Sequence, residues 1–168
     1  MTTITIKNIG PITHVTLDLN KVNVIMGPQS SGKSTIAKIV SYCNWVEKRF
    51  ILDGEYEYDF AEMFIEFHRV SKAYFRKDSL IEYKSEAVEI TYKAVSNKQE
   101  IKKLNGELNT GFLNSKNIYI PAERNFVSTI PDLGKYKRIN DNIMNFLYDW
   151  YEVKKKYTKD NKYSILNL

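Results

Sequence analysis

One eight-residue stretch constrains this chain more than any other. Residues 27–34 read Gly27-Pro28-Gln29-Ser30-Ser31-Gly32-Lys33-Ser34, a match to G-x-x-x-x-G-K-[ST], and Thr35 follows. At average residue usage such a match arises by accident in roughly one chain of this length in 200. The setting narrows the reading further. Residues 22–26 (VNVIM) form an apolar run that predicts a short strand leading into the motif. Behind it, Ile36, Ile39, Val40 and Cys43 fall at helical spacing and predict a helix from Gly32 to about Trp45. Gly27 and Gly32 permit backbone angles and a close approach that a side chain would block. Successive backbone N–H groups and the positive end of the helix then face a phosphate chain. Lys33 is expected to reach the β- and γ-phosphates, the Ser34 hydroxyl to ligate Mg²⁺, and Thr35 to add a hydroxyl near the α-phosphate. The predicted binding set is Gly27, Gln29, Ser30, Ser31, Gly32, Lys33, Ser34 and Thr35, with Ser34 as the metal ligand. The plainer alternative is a glycine-rich turn with an incidental lysine.

The flanking sequence predicts an α/β fold. Residues 3–9 alternate around Ile4 and Ile6, Gly10-Pro11 marks a turn, and residues 12–19 alternate again, which predicts a hairpin. After a break at Asp53-Gly54, residues 57–75 read as an amphipathic helix, with Phe60, Phe64, Phe67 and Tyr74 as a core stripe. Strands are expected over 79–84 and 87–95, the second with Val88, Ile90, Tyr92 and Ala94 on one face. Residues 96–116 are polar with Gly106 and Gly111 and are expected to be turns. Residues 117–120 read as a strand ending at Pro121, and 139–157 as a last helix burying Ile139, Ile143, Phe146, Trp150 and Val153. Cys43 on an apolar face reads as a core residue rather than a reactive thiol. His14 and His68 stand alone and read as structural histidines, with no metal site.

Composition excludes several classes. The 168 residues are 43% hydrophobic and 27% charged, the make-up of an ordinary globular domain or of a piece of a larger one. A single cysteine leaves no internal disulfide and no four-cysteine zinc site. No apolar run approaches the length of a membrane span, and the first seven residues carry no charged leader before an apolar stretch. A cytosolic protein is the expectation. Net charge is +5, and residues 135–162 hold eight Lys or Arg against four acids, so a surplus of four lies there. That stretch is either a solvated helix face or an attractor of anionic partners.

A second acidic element is missing. Phosphoanhydride hydrolysis commonly needs an apolar strand ending in Asp or Asp-Glu beside the loop, to hold Mg²⁺ and align water. Phe50-Ile51-Leu52-Asp53 is too short and runs into Gly54; Val15-Thr16-Leu17-Asp18 is interrupted and continues into Leu19. Neither is accepted.

The loop and its lead-in resemble the start of an ABC-class ATPase domain. Ile6-Lys7-Asn8-Ile9-Gly10-Pro11-Ile12, a second strand, then Val24-Ile25-Met26-Gly27 are similar to the opening of RecF, SMC and OLD-type (overcoming lysogenization defect) ATPases. Ile118-Tyr119-Ile120-Pro121-Ala122-Glu123-Arg124-Asn125 is similar to the Y-I/L-P-A-E-R segment of AAA-family proteins linked to anti-phage systems. The resemblance implies a P-loop NTPase fold: an ABC-ATPase-like N-terminal lobe in one 1–168 domain, with a mixed sheet and an antiparallel β subregion around a parallel core strand. It also implies ATP with Mg²⁺, sandwiched between two such domains, each completed by the other's signature. Signature, acidic strand and switch histidine are expected after Leu168, so the chain reads as the first half of such a domain, inactive or very slow alone. Its partners would be the remainder of the domain or a second ATPase domain, with DNA an implied further partner and no membrane; no base-reading motif is present. The family's glutamine beside Mg²⁺ has no counterpart, because Gln29 and Gln99 lie elsewhere. Glu123 and Arg124 occupy the comparable place, either as weak catalytic candidates or as a local ion pair. A small-molecule P-loop kinase is the alternative, opposed by the 26 residues ahead of Gly27 and the scattered arginines.

Overall fold

Alternation along the first strand sets the whole sheet. In a strand, neighbouring side chains point to opposite faces, and Ile4 and Ile6 are fully buried while Thr3, Thr5 and Lys7 are not. The computed structural model describes residues 1–104, 119–120, 146 and 149–151. The chain divides into two units, Met1–Asn117 and Ile118–Leu168.

In the first unit, β1 (Thr2–Ile9) and β2 (Ile12–Leu19) form the expected hairpin. α1 (Lys33–Asp53) and α2 (Phe60–His68) follow, then a 3-10 turn (Lys72–Tyr74), β3 (Phe75–Lys84), β4 (Val88–Lys93), a second 3-10 turn (Ala94–Ser96) and β5 (Lys98–Lys103). The strands make one five-stranded sheet in the order β2-β1-β3-β4-β5. Every pairing is antiparallel. Register carries the alternation across the sheet: Leu17 and Val15 stand beside Ile4 and Ile6, these beside Tyr83 and Ile81, and those beside Ile90 and Tyr92. This face joins the core with Ile36, Ile39, Tyr42, Cys43 and Val46 of α1 and Phe60 and Phe64 of α2. The opposite face carries Thr5, Thr16, Glu82, Thr91 and Glu100 in register. The unit is therefore a two-layer α/β arrangement with helices on one side.

Among the described residues the sheet is antiparallel throughout and the expected parallel core strand is not seen. Residues 22–26 form no strand, and Val22, Val24 and Met26 are each more than three-quarters exposed. An apolar run becomes a strand only when a neighbour takes its backbone hydrogen bonds, and no described strand lies beside it. β5 falls where the sequence predicts turns, because KQEIKK offers one apolar residue; it is a strand whose ladder comes from β4. α1 runs beyond Trp45 to Asp53, where the Gly54 N–H reaches Phe50 O at 3.0 Å. Phe50–Asp53 is thus its last turn, and Asp18 lies exposed on β2, among the polar-face residues of the sheet. Neither is an acidic strand end. α2 spans nine residues rather than the predicted nineteen, since Arg69 takes a left-handed backbone (φ 49°) and its N–H closes the helix. In the second unit, Tyr119 and Ile120 lie in irregular backbone where a strand was expected, with no described strand pairing to them. Phe146, Asp149, Trp150 and Tyr151 are helical, but Trp150 is 51% exposed, its large ring leaving half its surface in water. The rest of 139–157 lies outside the described residues.

Buried carboxylate and hydroxyl groups hold the helices to the sheet. Glu47, 5% exposed, accepts from the Tyr83 hydroxyl and from Ser85 Oγ, each at 2.6 Å, tying α1 to the β3–β4 hairpin. Burial and the Glu47 charge push the Tyr83 hydroxyl far above its ordinary range, so it stays a donor. Asp59 caps α2 by accepting from Glu62 N at 2.8 Å, and Gln99 clamps the same end through Phe60 N (2.7 Å) and Tyr58 O (2.6 Å). Cys43 is fully buried, and burial raises its thiol well above the usual value, so it is a core residue.

His68 gives the fold a pH dependence. It is 3% exposed among Phe64, Phe67 and Tyr42, and burial, with the Lys38 charge behind it, pulls its imidazole from 6.5 down to about 3. Between those values the unfolded chain binds a proton that the folded chain refuses, so stability falls as pH drops through that window. Relative to neutral pH, the His68 share of the loss is expected to reach about 2–3 kcal/mol near pH 4.5. Urea midpoints across this range should flatten in His68→Phe; equal slopes in both proteins would contradict the assignment.

Candidate functional site

The hairpin turn and the start of α1 build the site between them. β1 carries a bulge at Asn8, where φ is 52° and the register to β3 shifts between Lys7 and Ile9. Asn8 is held from β3: its Nδ2 donates to Asp78 Oδ2 at 2.6 Å, and Ser79 Oγ donates to its carbonyl. The turn that follows is fastened too. Gly10 N donates to Tyr74 O at 2.8 Å, and Arg76 Nη2 donates to Gly10 O at 2.9 Å. Pro11 and Ile12 therefore sit firmly against Gly32.

On the other side, residues 20–23 make a local turn through Asn23, whose side chain bonds Asn20 N (3.0 Å) and Asn20 O (2.8 Å). The chain then runs exposed through Val24, Ile25 and Met26 into the glycine-bracketed loop. Ser30 has φ 60°, and Ser31 N reaches Pro28 O at 3.4 Å. Gly32 ends the loop with φ 95° and opens α1, whose first bond is Ile36 N to Gly32 O at 2.9 Å. An α-helix leaves its first N–H groups without intrahelical acceptors. Here no side chain caps them, and the first turn holds no acid. That end keeps its positive partial charge.

Lys33 adds a full charge. Its Nζ donates to Gly27 O at 2.8 Å, to Pro28 O, and toward Ser31 Oγ at 3.5 Å, so the ammonium arches over the loop that precedes it. A cavity of about 290 Å³ opens there, lined by Pro11, Ser30, Ser31, Gly32, Lys33, Ser34, Thr35 and Tyr74. Ser34 is exposed and Thr35 is 4% exposed. Gly27 and Gln29 belong to the loop but not to this lining. The lining residues carry several donors: backbone N–H groups, the hydroxyls of three serines and one threonine, and an ammonium. Such a set suits a multiply charged anion. Glu123 and Arg124 lie outside the described residues. Among the described residues, no three His, Cys, Asp or Glu side chains converge on a metal position.

Gly32 has no substitute in this geometry. A Cβ there would stand 2.8 Å from Ile12 Cγ1 and 3.3 Å from Pro11 Cγ, on a backbone that side chains rarely adopt. Gly32→Ala is expected to cost about 2 kcal/mol, from the dihedral strain plus the displaced hairpin. Thermal unfolding of the variant measures it, and an unchanged midpoint would contradict the close approach.

The family model described as AAA domain matches residues 3–165. The chain belongs to the AAA domain family. No curated protein and no solved structure shows significant similarity to it. AAA-domain membership makes it one of the AAA-type P-loop ATPases, a family that binds and uses ATP. That assignment is broader than the RecF, SMC and OLD kinship suggested by the opening and by the Pro121–Arg124 segment. Two cavity residues of this AAA-domain chain escape motif reading. Pro11 was visible only as a turn signal, and Tyr74 was assigned to a helical core stripe; β1–β3 pairing brings both to the loop.

Proposed function

We propose that this chain is the ATP-binding lobe of an ABC-like ATPase of the RecF, SMC and OLD kind. One observation carries the reading: the Lys33 ammonium, the uncapped start of α1 and the Ser34 and Thr35 hydroxyls all border the same 290 Å³ cavity. A triphosphate entering it offers oxygens in place of the Gly27 and Pro28 carbonyls that Lys33 engages. Lys33 then offsets the charge of the β- and γ-phosphates, and the backbone N–H groups of residues 30–35 orient the chain of oxygens. Ser34 is the hydroxyl that would hold Mg²⁺, which when bound neutralises phosphate charge. Thr35 is buried enough to be preorganised near the α-phosphate.

Hydrolysis needs an acid near the loop and a signature from another ATPase domain. Asp18 and Asp53 do not meet the first need, for the reasons of geometry given above; Glu123 is the candidate carboxylate within this sequence, with Arg124 beside it as a candidate cation for phosphate charge. Turnover therefore waits on further chain or on a second ATPase domain. ATP then favours the closed pair because it makes contacts with both halves that the open state lacks. The family resemblance favours DNA-linked or phage-defence work in the cytoplasm. No described helix is long and apolar enough to cross a membrane.

Titration calorimetry with ATP and Mg²⁺, combined with a phosphate-release assay, tests the reading. Saturable binding with negligible turnover is expected. Brisk hydrolysis by the chain alone would overturn the dependence on a partner, and labelled phosphate moving to a small-molecule acceptor would favour the kinase.

A further inference from the structure

Every described aromatic ring around α2 but one is absorbed by its neighbours. Tyr42, Phe60, Phe64, Phe75 and Tyr92 pack ring to ring in the core. Among the described residues Tyr74 engages no other ring and its hydroxyl has no hydrogen-bond partner, yet it is held firmly. Its N–H donates to Ser71 O at 2.9 Å, closing the 3-10 turn, and its carbonyl accepts from Gly10 N at 2.8 Å. The ring lies across Gly10. A Cβ at that position would meet Tyr74 Cε1 at 2.8 Å, on a backbone with φ 53°. Glycine at 10 is what lets an aromatic ring cross the turn. The half-buried ring, so fixed, borders the same cavity as Lys33, Ser34 and Thr35.

We infer that Tyr74 supplies the stacking face for the base of the bound nucleotide. The inference rests on the proposed nucleotide site and extends it. The cavity stands at the lower limit of volumes that enclose a small organic ligand. With the phosphates drawn to the helix start, the nucleoside end has to leave the loop, and among the described lining residues Tyr74 is the one planar apolar surface. A pinned ring binds a base with little loss of side-chain entropy. Because every base has a π-face, stacking contributes affinity and leaves base choice to other groups.

The experiment compares Mg²⁺-ATP with inorganic tripolyphosphate by titration calorimetry on the full chain. Tyr74→Leu, which keeps apolar bulk over Gly10 without a π-face, should bind ATP about tenfold more weakly and tripolyphosphate as wild type does. Tyr74→Phe should keep both affinities within about twofold. Equal losses for both ligands would reduce Tyr74 to a support for the loop and overturn the inference, as would unchanged ATP affinity in a folded Tyr74→Leu protein. If Tyr74→Leu does not fold, Tyr74→Trp gives the readout: the added indole's fluorescence should respond to ATP and not to tripolyphosphate, and no response to ATP refutes the stacking. Wild-type protein that binds neither ligand would instead overturn the nucleotide site itself, and Tyr74's role with it.

Discussion

Lys33→Ala is expected to bind Mg²⁺-ATP about 100-fold more weakly than wild type, a loss of charge-assisted hydrogen bonds to phosphate. The fold should hardly notice. The carbonyls that Lys33 engages, Gly27 O and Pro28 O, belong to exposed residues, and water replaces the ammonium as their donor. Stability should stay within about 0.5 kcal/mol of wild type. Lys33→Met, which retains the length of the side chain without its charge, should lose as much affinity as the alanine variant. Calorimetry and a urea titration on the same samples separate the two quantities. Full ATP affinity in either variant would remove the charge argument from the proposed site; a collapse of stability would mean that Lys33 is a brace of the loop.

Phe64→Ala should be the most damaging core substitution, at about 3–5 kcal/mol. Phe64 is fully buried and meets three elements at once: Tyr42 of α1 at 5.4 Å, Phe75 of β3 at 5.6 Å, and His68 of its own helix at 4.8 Å. Truncation removes the apolar transfer energy and leaves a hole among rings that are themselves pinned. Tyr42 cannot tilt freely into it, since its hydroxyl bonds Tyr56 at 2.7 Å and Phe60 O at 3.0 Å. Against the 5–15 kcal/mol typical of a domain, the variant should unfold in much lower urea. Phe64→Leu should recover most of the loss, falling about 1 kcal/mol short of wild type. An alanine variant within about 1 kcal/mol of wild type would show that α2 does not depend on this contact.

How far the sequence could be read differs from residue to residue, for identifiable reasons. The β1–β2 hairpin was legible because Ile4, Ile6 and the Gly10-Pro11 turn are local signals, each decided within a few residues. The start of α1 was legible in the same way. Residues 22–26 misled, because an apolar run reports a wish to be buried but not whether a neighbouring strand exists to pair with it. β5 was invisible for the converse reason: with only Ile101 apolar, it is a strand by virtue of β4 alongside. Tyr74 was placed on a helical stripe by its spacing from Phe60, Phe64 and Phe67. The left-handed backbone at Arg69 ended that helix, and antiparallel pairing of β1 with β3 carried the ring to Gly10.

Taken alone, then, the order of residues determined the loop's donors, the periodicities of β1 and α1 and the burial of Cys43, since backbone preference and side-chain spacing act over one or two turns of chain. Tertiary structure decided the all-antiparallel order β2-β1-β3-β4-β5 and the meeting of Pro11, Gly32 and Tyr74 around one cavity. The β1–β3 pairing and the meeting of Pro11, Gly32 and Tyr74 join residues about twenty to eighty positions apart, and which partners meet depends on the summed fit of the whole core rather than on any short run within it.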